Sequence, residues 1–314
     1  MVRYFFTPVG EKNAHEIESA AKNCWIHMEN PNDLEIENIS AVTGAPAQMI
    51  KAALDEEERA RIEIEDQCKL ILVDIPIMNE SEEGESYYYN TLPLGIIITG
   101  EHFITVCLKP TSVISDFIQG RIKGFDINKP TRFLYQILYN NSVKFLHYLR
   151  QIDKLSNRIQ LKLHKSMKNK ELIQLLELEK SLVYFSTSIK SNHAVLEKVL
   201  ASSIVKHYDE DQDILDDAVI ESRQAMEMAD IYRDVLSGTM DAFASVIGNN
   251  QNKVMKLLTA LTIIITIPTL IASFFGMNTP LPLQTHKLGF WIIVGISALC
   301  SGIAALIMYR KKMF

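Results

Sequence analysis

The chain has 314 residues, enough for one or two domains with a real core, and its formal net charge of -6 argues against a nucleic-acid binder, which carries a basic face. Apolar residues make up 47% of it, an ordinary share for a soluble protein, but they crowd into the last sixty or so positions. The four cysteines, Cys24, Cys68, Cys107 and Cys300, match no disulfide or zinc spacing and read as reduced, mostly buried thiols.

The opening MVRYFFTPVGEKN has one arginine and few apolar residues, too little for a signal peptide, so the bulk of the chain is expected in the cytoplasm. Seven prolines, from Pro8 to Pro130, fall in residues 1–130. This region mixes β-rich runs (RYFF, CWIHM, KLILVDIPIM, LGIIITGEHFITVCL) with short helical ones (DLEIENIS, APAQMIKAALDEEERA). TGEH between two apolar runs predicts a hairpin turn. SEEGES predicts another, exposed one. Residues 1–130 therefore read as a cytoplasmic α/β domain.

From Thr131 to Ile267 there is no proline, and the only glycines are Gly238 and Gly248. Such a stretch predicts long helices. Polar runs interrupt the apolar period at HKSMKNKE (His164 to Glu171) and KHYDEDQD (Lys206 to Asp213). The expectation is a helical hairpin, then one helix of roughly 90 Å from about Asp213 into the apolar C-terminus. A helix that long cannot bury itself in a small monomer, so it implies partners. Residues 131–253 are read as hairpin plus stalk, and 254–314 as a transmembrane domain.

Leu257 to Phe275 runs about 19 residues without a charge, enough to cross a hydrocarbon core of about 30 Å. Leu288 to Tyr309 is a second such run, with Trp291 and Tyr309 near its ends. The spans are thus placed at about 254–275 and 288–309. Lys253 and Lys256 precede the first, and Arg310, Lys311 and Lys312 follow the second. The connecting loop has only Lys287, so the positive-inside rule puts both termini in the cytoplasm and the loop outside.

Within the first span the hydroxyl residues are Thr259, Thr262, Thr266, Thr269 and Ser273, spaced 3, 4, 3, 4. That spacing sets them on one helix face. Continued backward it meets Met255, Asn252, Gly248, Ser245, Asp241, Gly238 and Asp234, and forward it meets Gly276. A 3.5-residue period favours a left-handed bundle. Two readings follow. The hydroxyls bond back to the preceding turn or join a helix pair in lipid. Alternatively, several copies surround an axis and the row lines a wet pore, with Asp234 and Asp241 gathering cations below it. Five hydroxyls in strict register favour the pore. With no charge in the row within the bilayer, hydroxyls and amides suit outer-sphere contact with a hydrated Mg²⁺, which gives up water reluctantly.

Gly276, Met277 and Asn278 follow the first of these two C-terminal spans. With ALDEEERARIE (Ala53 to Glu63), YRDVLSG (Tyr232 to Gly238) and the tail RKKMF, they make the sequence resemble the CorA-type divalent-cation transporters of the two-span GxN group, over nearly the whole chain. The resemblance implies a homopentamer in the plasma membrane that carries Mg²⁺, with Co²⁺ or Ni²⁺ as further cargo. It implies an outer ion-binding ring of Gly276, Met277 and Asn278. It also implies a conduit lined by Asn252, Met255, Leu258, Thr262, Thr266 and Thr269, with Met255 and Leu258 as an apolar gate. Mg²⁺ held between cytoplasmic domains would keep the pore shut. Asp217 falls at the carboxylate of that regulatory site, with a partner near Asn79, Glu80, Glu82 or Glu83. One departure stands out: the loop TPLPLQTHKLGF lacks the acid that many relatives carry after GMN. That leaves room for the zinc-transporting branch.

Other motifs carry less. DEDQDILDD (Asp209 to Asp217) lacks the glycine and final acid of an EF-hand and reads as a solvated helix start, with Asp217 the exception. The histidines form no HExxH, and no P-loop, GxGxxG or GxSxG is present, so neither an enzyme nor an organic cofactor is expected. The expected function is divalent-cation uptake driven by membrane potential. The rivals are a proton-coupled Zn²⁺ transporter on the same fold and a membrane-tethered cytoplasmic sensor.

Overall fold

The computed structural model describes residues 1–8, 14–80, 87–166, 169–202, 204–277 and 288–311. Two compact units divide at Gly238: Met1–Gly238 and Thr239–Phe314.

The first unit is built on a seven-stranded sheet. Its strands are β1 (Val2–Phe6), β2 (His15–Ile17), β3 (Trp25–Glu29), β4 (Arg61–Glu65), β5 (Cys68–Glu80), β6 (Tyr87–Ile98) and β7 (Phe103–Cys107), in the order β2-β1-β3-β7-β6-β5-β4. All pairings are antiparallel except β3 with β7. The TGEH turn forms between β6 and β7: the Thr99 N–H donates to the His102 carbonyl at 3.0 Å, and the His102 N–H donates to the Thr99 hydroxyl at 3.0 Å. CWIHM is a core strand, as its pattern predicts, with Trp25, Ile26 and Met28 wholly buried.

Strand alternation deals side chains to two cores. Ile26, Met28, Leu70, Leu72, Ile104 and Val106 meet α1 (Asp33–Thr43) and α2 (Ala47–Ala52) on one face. Trp25, Ile71, Val73, Ile75, Ile96 and Phe103 meet α3 (Ser112–Ile118), α4 (Pro130–Ser166) and α5 (Asn169–Ala201) on the other. A capping box starts α1: the Glu35 N–H donates to Asn32 at 2.8 Å and the Asn32 N–H donates to the Glu35 carboxylate at 3.0 Å. Gly44 ends it at φ 72°, where glycine is favoured.

The sequence pattern predicts a second short helix that runs through ALDEEERA. In the structure α2 stops at Ala52, and Arg61–Glu65 is a strand. An acidic run at a helix C-terminus opposes the macrodipole. Asp55 instead accepts the Glu57 N–H at 3.0 Å, a local turn that competes with the helix.

The expected breaks in the long helical region are present. In the hairpin α4 ends at Ser166 and α5 begins at Asn169, and a 3₁₀ turn (Asp209–Asp211) leads into α6 (Gln212–Phe275), a single helix of 64 residues. The start of α6 is not simply solvated, as DEDQDILDD suggested: Asp211 is buried, because the Arg132 guanidinium binds it at 2.6 Å. Further along, Asp230 takes the Ser186 hydroxyl at 2.7 Å and the Lys190 ammonium at 2.9 Å, which fastens α6 to α5.

The second unit pairs the end of α6 with α7 (Gly289–Arg310). These are two helices long and apolar enough to cross a membrane. Their outward side chains, among them Leu261, Leu270, Phe290, Trp291, Leu299 and Leu306, are exposed, which fits lipid rather than water.

Candidate functional site

On α6, Ala260, Ile264, Ile267, Pro268, Ile271 and Phe275 lose exposure, and they recur at helical spacing. This is the face toward α7: Pro268, Ala272 and Phe275 share a cleft of about 590 Å³ with Phe290, Ile293 and Ser297. Thr259, Thr262, Thr266, Thr269 and Ser273 are exposed. At 3.6 residues per turn their row lies about 180° from the α7-facing side. The hydroxyls therefore do not join α6 to α7.

Four of them bond within α6. The hydroxyls of Thr259, Thr262, Thr266 and Thr269 donate to the carbonyls of Met255, Leu258, Thr262 and Ile265 at 2.8, 2.8, 2.7 and 3.0 Å. The back-bonding reading of the sequence is thus present in the chain. It also has a chemical consequence. A threonine that spends its proton on its own helix offers the solvent side only acceptor lone pairs. The row presents oxygen to whatever faces it.

Below the row, Asn252, Met255 and Leu258 are exposed, Met255 by 60% and Leu258 by 52%. Asp234 and Asp241 are exposed too, with Asp234 held by its neighbour Arg233 at 2.9 Å. At the top, the Gly276 N–H donates to the carbonyls of Ala272 and Ser273 at 2.9 and 3.2 Å, closing the helix. A Cβ on Gly276 would stand 3.3 Å from the Ala272 oxygen, tighter than most Cβ contacts. Met277 is half exposed. Asn278 and the loop to Lys287 lie outside the described residues, as do Glu82, Glu83, the SEEGES turn and Lys312.

Asp217 is exposed on α6 and makes no ion pair among the described residues. Asn79 is half-buried on β5 opposite Tyr88. Glu80 follows opposite Tyr87, its side chain outside the described residues. Within one chain these positions do not meet. Contacts of His193 with Ser222 and of Ser186 with Asp230 set α5 and α6 antiparallel, which puts Asp217 level with about Lys198. The strand end is level with Ser181, whose hydroxyl accepts the Tyr89 N–H at 3.1 Å. From Lys198 to Ser181 is about 25 Å of helix axis. Among the described residues no three His, Cys, Asp or Glu side chains group to hold a metal.

Sequence reasoning missed Asp74. It lies on β5 where β4 has ended, in a polar pocket with Glu56, Glu57, Glu58, Arg59, Tyr184 and Ser188. Burial raises its carboxyl to about 6, partly offset by the Ser188 hydroxyl. An acid inside an apolar strand run was the available signal.

The profile of the family described as CorA-like Mg²⁺ transporter protein matches residues 20–310. The cobalt/magnesium transport protein CorA of Methanocaldococcus jannaschii is 28% identical over 286 residues, 87% of this chain and 85% of that protein. The magnesium transport protein CorA of Helicobacter pylori J99 is 22% identical over 240 residues, 74% of this chain and 73% of that one. The solved complete CorA magnesium transporter of M. jannaschii shares the fold with a TM-score of 0.82 at 24% identity, covering 100% of this chain and 99% of that one. The ZntB cytoplasmic domain of Vibrio parahaemolyticus is a more distant likeness of fold, with a TM-score of 0.58 at 17% identity over 79% of this chain and 97% of that one. With its two candidate spans and a family match over nearly its whole length, the chain belongs to the CorA-like Mg²⁺ transporter family.

Proposed function

We propose that this chain carries hydrated Mg²⁺, and also Co²⁺, which the name of the M. jannaschii cobalt/magnesium transport protein includes, through a pore built by several copies of α6. The carrying observation is the acceptor row of Thr259, Thr262, Thr266 and Thr269, exposed on the side of α6 away from α7. Water bound to a cation turns its hydrogens outward and needs acceptors. Hydroxyls whose protons are already committed supply them and favour a cation's shell over an anion's. Copies around an axis, five in the arrangement that the family resemblance implies, would meet along this row. Met255 and Leu258 would form an apolar constriction, and Gly276, Met277 and Asn278 the outer ring. Asn252 would line the inner conduit, and Asp234 and Asp241 would draw cations to its cytoplasmic mouth.

In this reading residues 1–130 and 131–253 stand in the cytoplasm and 254–314 in the plasma membrane, with both termini inside. Lys253, Lys256, Arg310 and Lys311 at the inner ends of the spans support that orientation. Inward movement of a divalent ion gains about 4.6 kcal/mol per 100 mV, twice the value for one charge, so no second energy source is required. Regulation would come from Mg²⁺ held between subunits, with Asp217 of one copy facing the Asn79–Glu80 end of β5 of another. The separation of these positions along α5 makes an intersubunit site necessary for that role.

Flux into liposomes tests the proposal. The purified chain is expected to pass Mg²⁺ and Co²⁺, and Asn278→Ala to lose that flux. No flux of any divalent ion would leave a tethered sensor as the reading. Zn²⁺ flux that follows an imposed pH gradient would favour the proton-coupled zinc alternative, which the fold likeness to the ZntB domain keeps in view.

A further inference from the structure

Pro268 lies inside α6 and has no N–H, so it cannot donate to the carbonyl of Ile264 one turn earlier. In lipid such a carbonyl finds no water. Ile264 and Pro268 lie on the face of α6 toward α7. There the Ser301 hydroxyl of α7 stands 3.5 Å from the Ile264 oxygen, long for a hydroxyl donor. Serine in a helix commonly bonds back to its own preceding turn. The four threonines of α6 do so. Ser301 reaches instead to the other helix, at the carbonyl that has lost its donor.

We infer that Ser301 is the substitute donor for the carbonyl that Pro268 orphans, and that the two residues make one joint between the spans. The joint lies level with Thr266 and Thr269. It ties the outer segment of α6, which ends at Phe275, to α7. A long side-chain contact stands there in place of a backbone bond. Ser301 is a positioning residue: it acts on α6 through the Ile264 carbonyl.

The test uses the full-length protein in detergent, with thermal unfolding and the ¹³C shift of the Ile264 carbonyl as readouts. Ser301→Ala is expected to lower the midpoint by about 2–4 °C and to move the carbonyl signal upfield. Ser301→Thr, which keeps the hydroxyl, is expected to leave the signal in place. In a Pro268→Ala background, where position 268 again has an N–H, Ser301→Ala is expected to change neither readout. Equal effects in both backgrounds, or a carbonyl signal that never moves, would overturn the inference. Should Ser301→Ala alone fail to fold, the double variant decides: it must fold as well as Pro268→Ala, and its failure overturns the joint. Neither readout involves an ion, so this outcome and that of the flux test are separate.

Discussion

Asn192 of α5 binds Asp74 of β5 as another strand would. Its side-chain oxygen accepts the Asp74 N–H at 2.8 Å, and its side-chain nitrogen donates to the Asp74 carbonyl at 2.8 Å. The β4–β5 pairing has already ended at Leu72, so the amide continues a ladder that has run out of strand. Asn141 of α4 donates to the same carbonyl at 2.8 Å. Both arms of the hairpin are thereby registered to one residue of the sheet.

Asn192→Ala leaves the Asp74 N–H without its partner, while Asn141 still serves the carbonyl. A loss of about 1–3 kcal/mol is expected, since a buried donor left unpaired costs its desolvation. Thermal unfolding of the solubilised protein reads it. Asn141→Ala should cost less, because the carbonyl then keeps Asn192. Reversed magnitudes would remove the strand-mimic account.

The Asp74 carboxyl gives a pH signature. Its folded value is raised from 3.8 to about 6, first by burial, so the folded state holds the proton more tightly than the unfolded chain. Its contribution is fully present below about 3.8 and is lost as pH rises through 6. The difference corresponds to roughly 3 kcal/mol. Unfolding midpoints measured between pH 4 and 8 should show this fall, and Asp74→Asn should flatten it while raising stability at pH 8. A natural chain and an Asp74→Asn variant with parallel profiles would contradict it.

Much of this architecture is legible in the sequence because the signals are local. Charge-free length marks the spans, polar runs mark the helix breaks, and TGEH marks its turn. ALDEEERA misleads because helix propensity and charge placement disagree there, and the charge effect prevails at the end of α2. Asp211 misleads because its partner, Arg132, is 79 positions away. The Asp74–Asn192 pair spans 118 positions, and nothing near either residue announces the other. The hydroxyl row could be read as one face, but only the packing of α7 on the other side tells which face stays open.

Gly95 of β6 is a packing requirement. A Cβ there would stand 2.7 Å from the Cβ of Ala53, which is wholly buried at the end of α2. Gly95→Ala must push α2 off the sheet, at an expected cost of about 1–3 kcal/mol. Gly238→Ala meets nothing within 4 Å on exposed helix and should be neutral or stabilising. Unfolding midpoints of the two variants, compared side by side, check the contrast.

At Thr266 the acceptor role can be separated from shape. Thr266→Val keeps the branched volume and removes the oxygen that faces away from α7. Flux of Mg²⁺ is expected to fall about tenfold or more, the effect of ~1.4 kcal/mol lost in solvating the passing ion. Thr266→Ser keeps the oxygen and should keep most of the flux. Equal flux through Thr266→Val would show that the row does not meet the ion.

Asp217 tests regulation without disturbing the fold. It is exposed and has no ion pair among the described residues, so Asp217→Ala should change stability by less than about 0.5 kcal/mol. If ions held by this carboxylate stabilise a closed assembly, removing it shifts the population toward the open one. Uptake into liposomes preloaded with Mg²⁺ is then expected to persist in Asp217→Ala at internal concentrations that stop the natural protein, with the half-inhibiting concentration raised at least about tenfold, a shift of ~1.4 kcal/mol. Asp217→Glu, which keeps the charge, should retain part of the feedback. Because unfolding is measured on the same samples, unchanged feedback in a well-folded Asp217→Ala protein would assign regulation to other residues and leave the pore-lining role of α6 untouched.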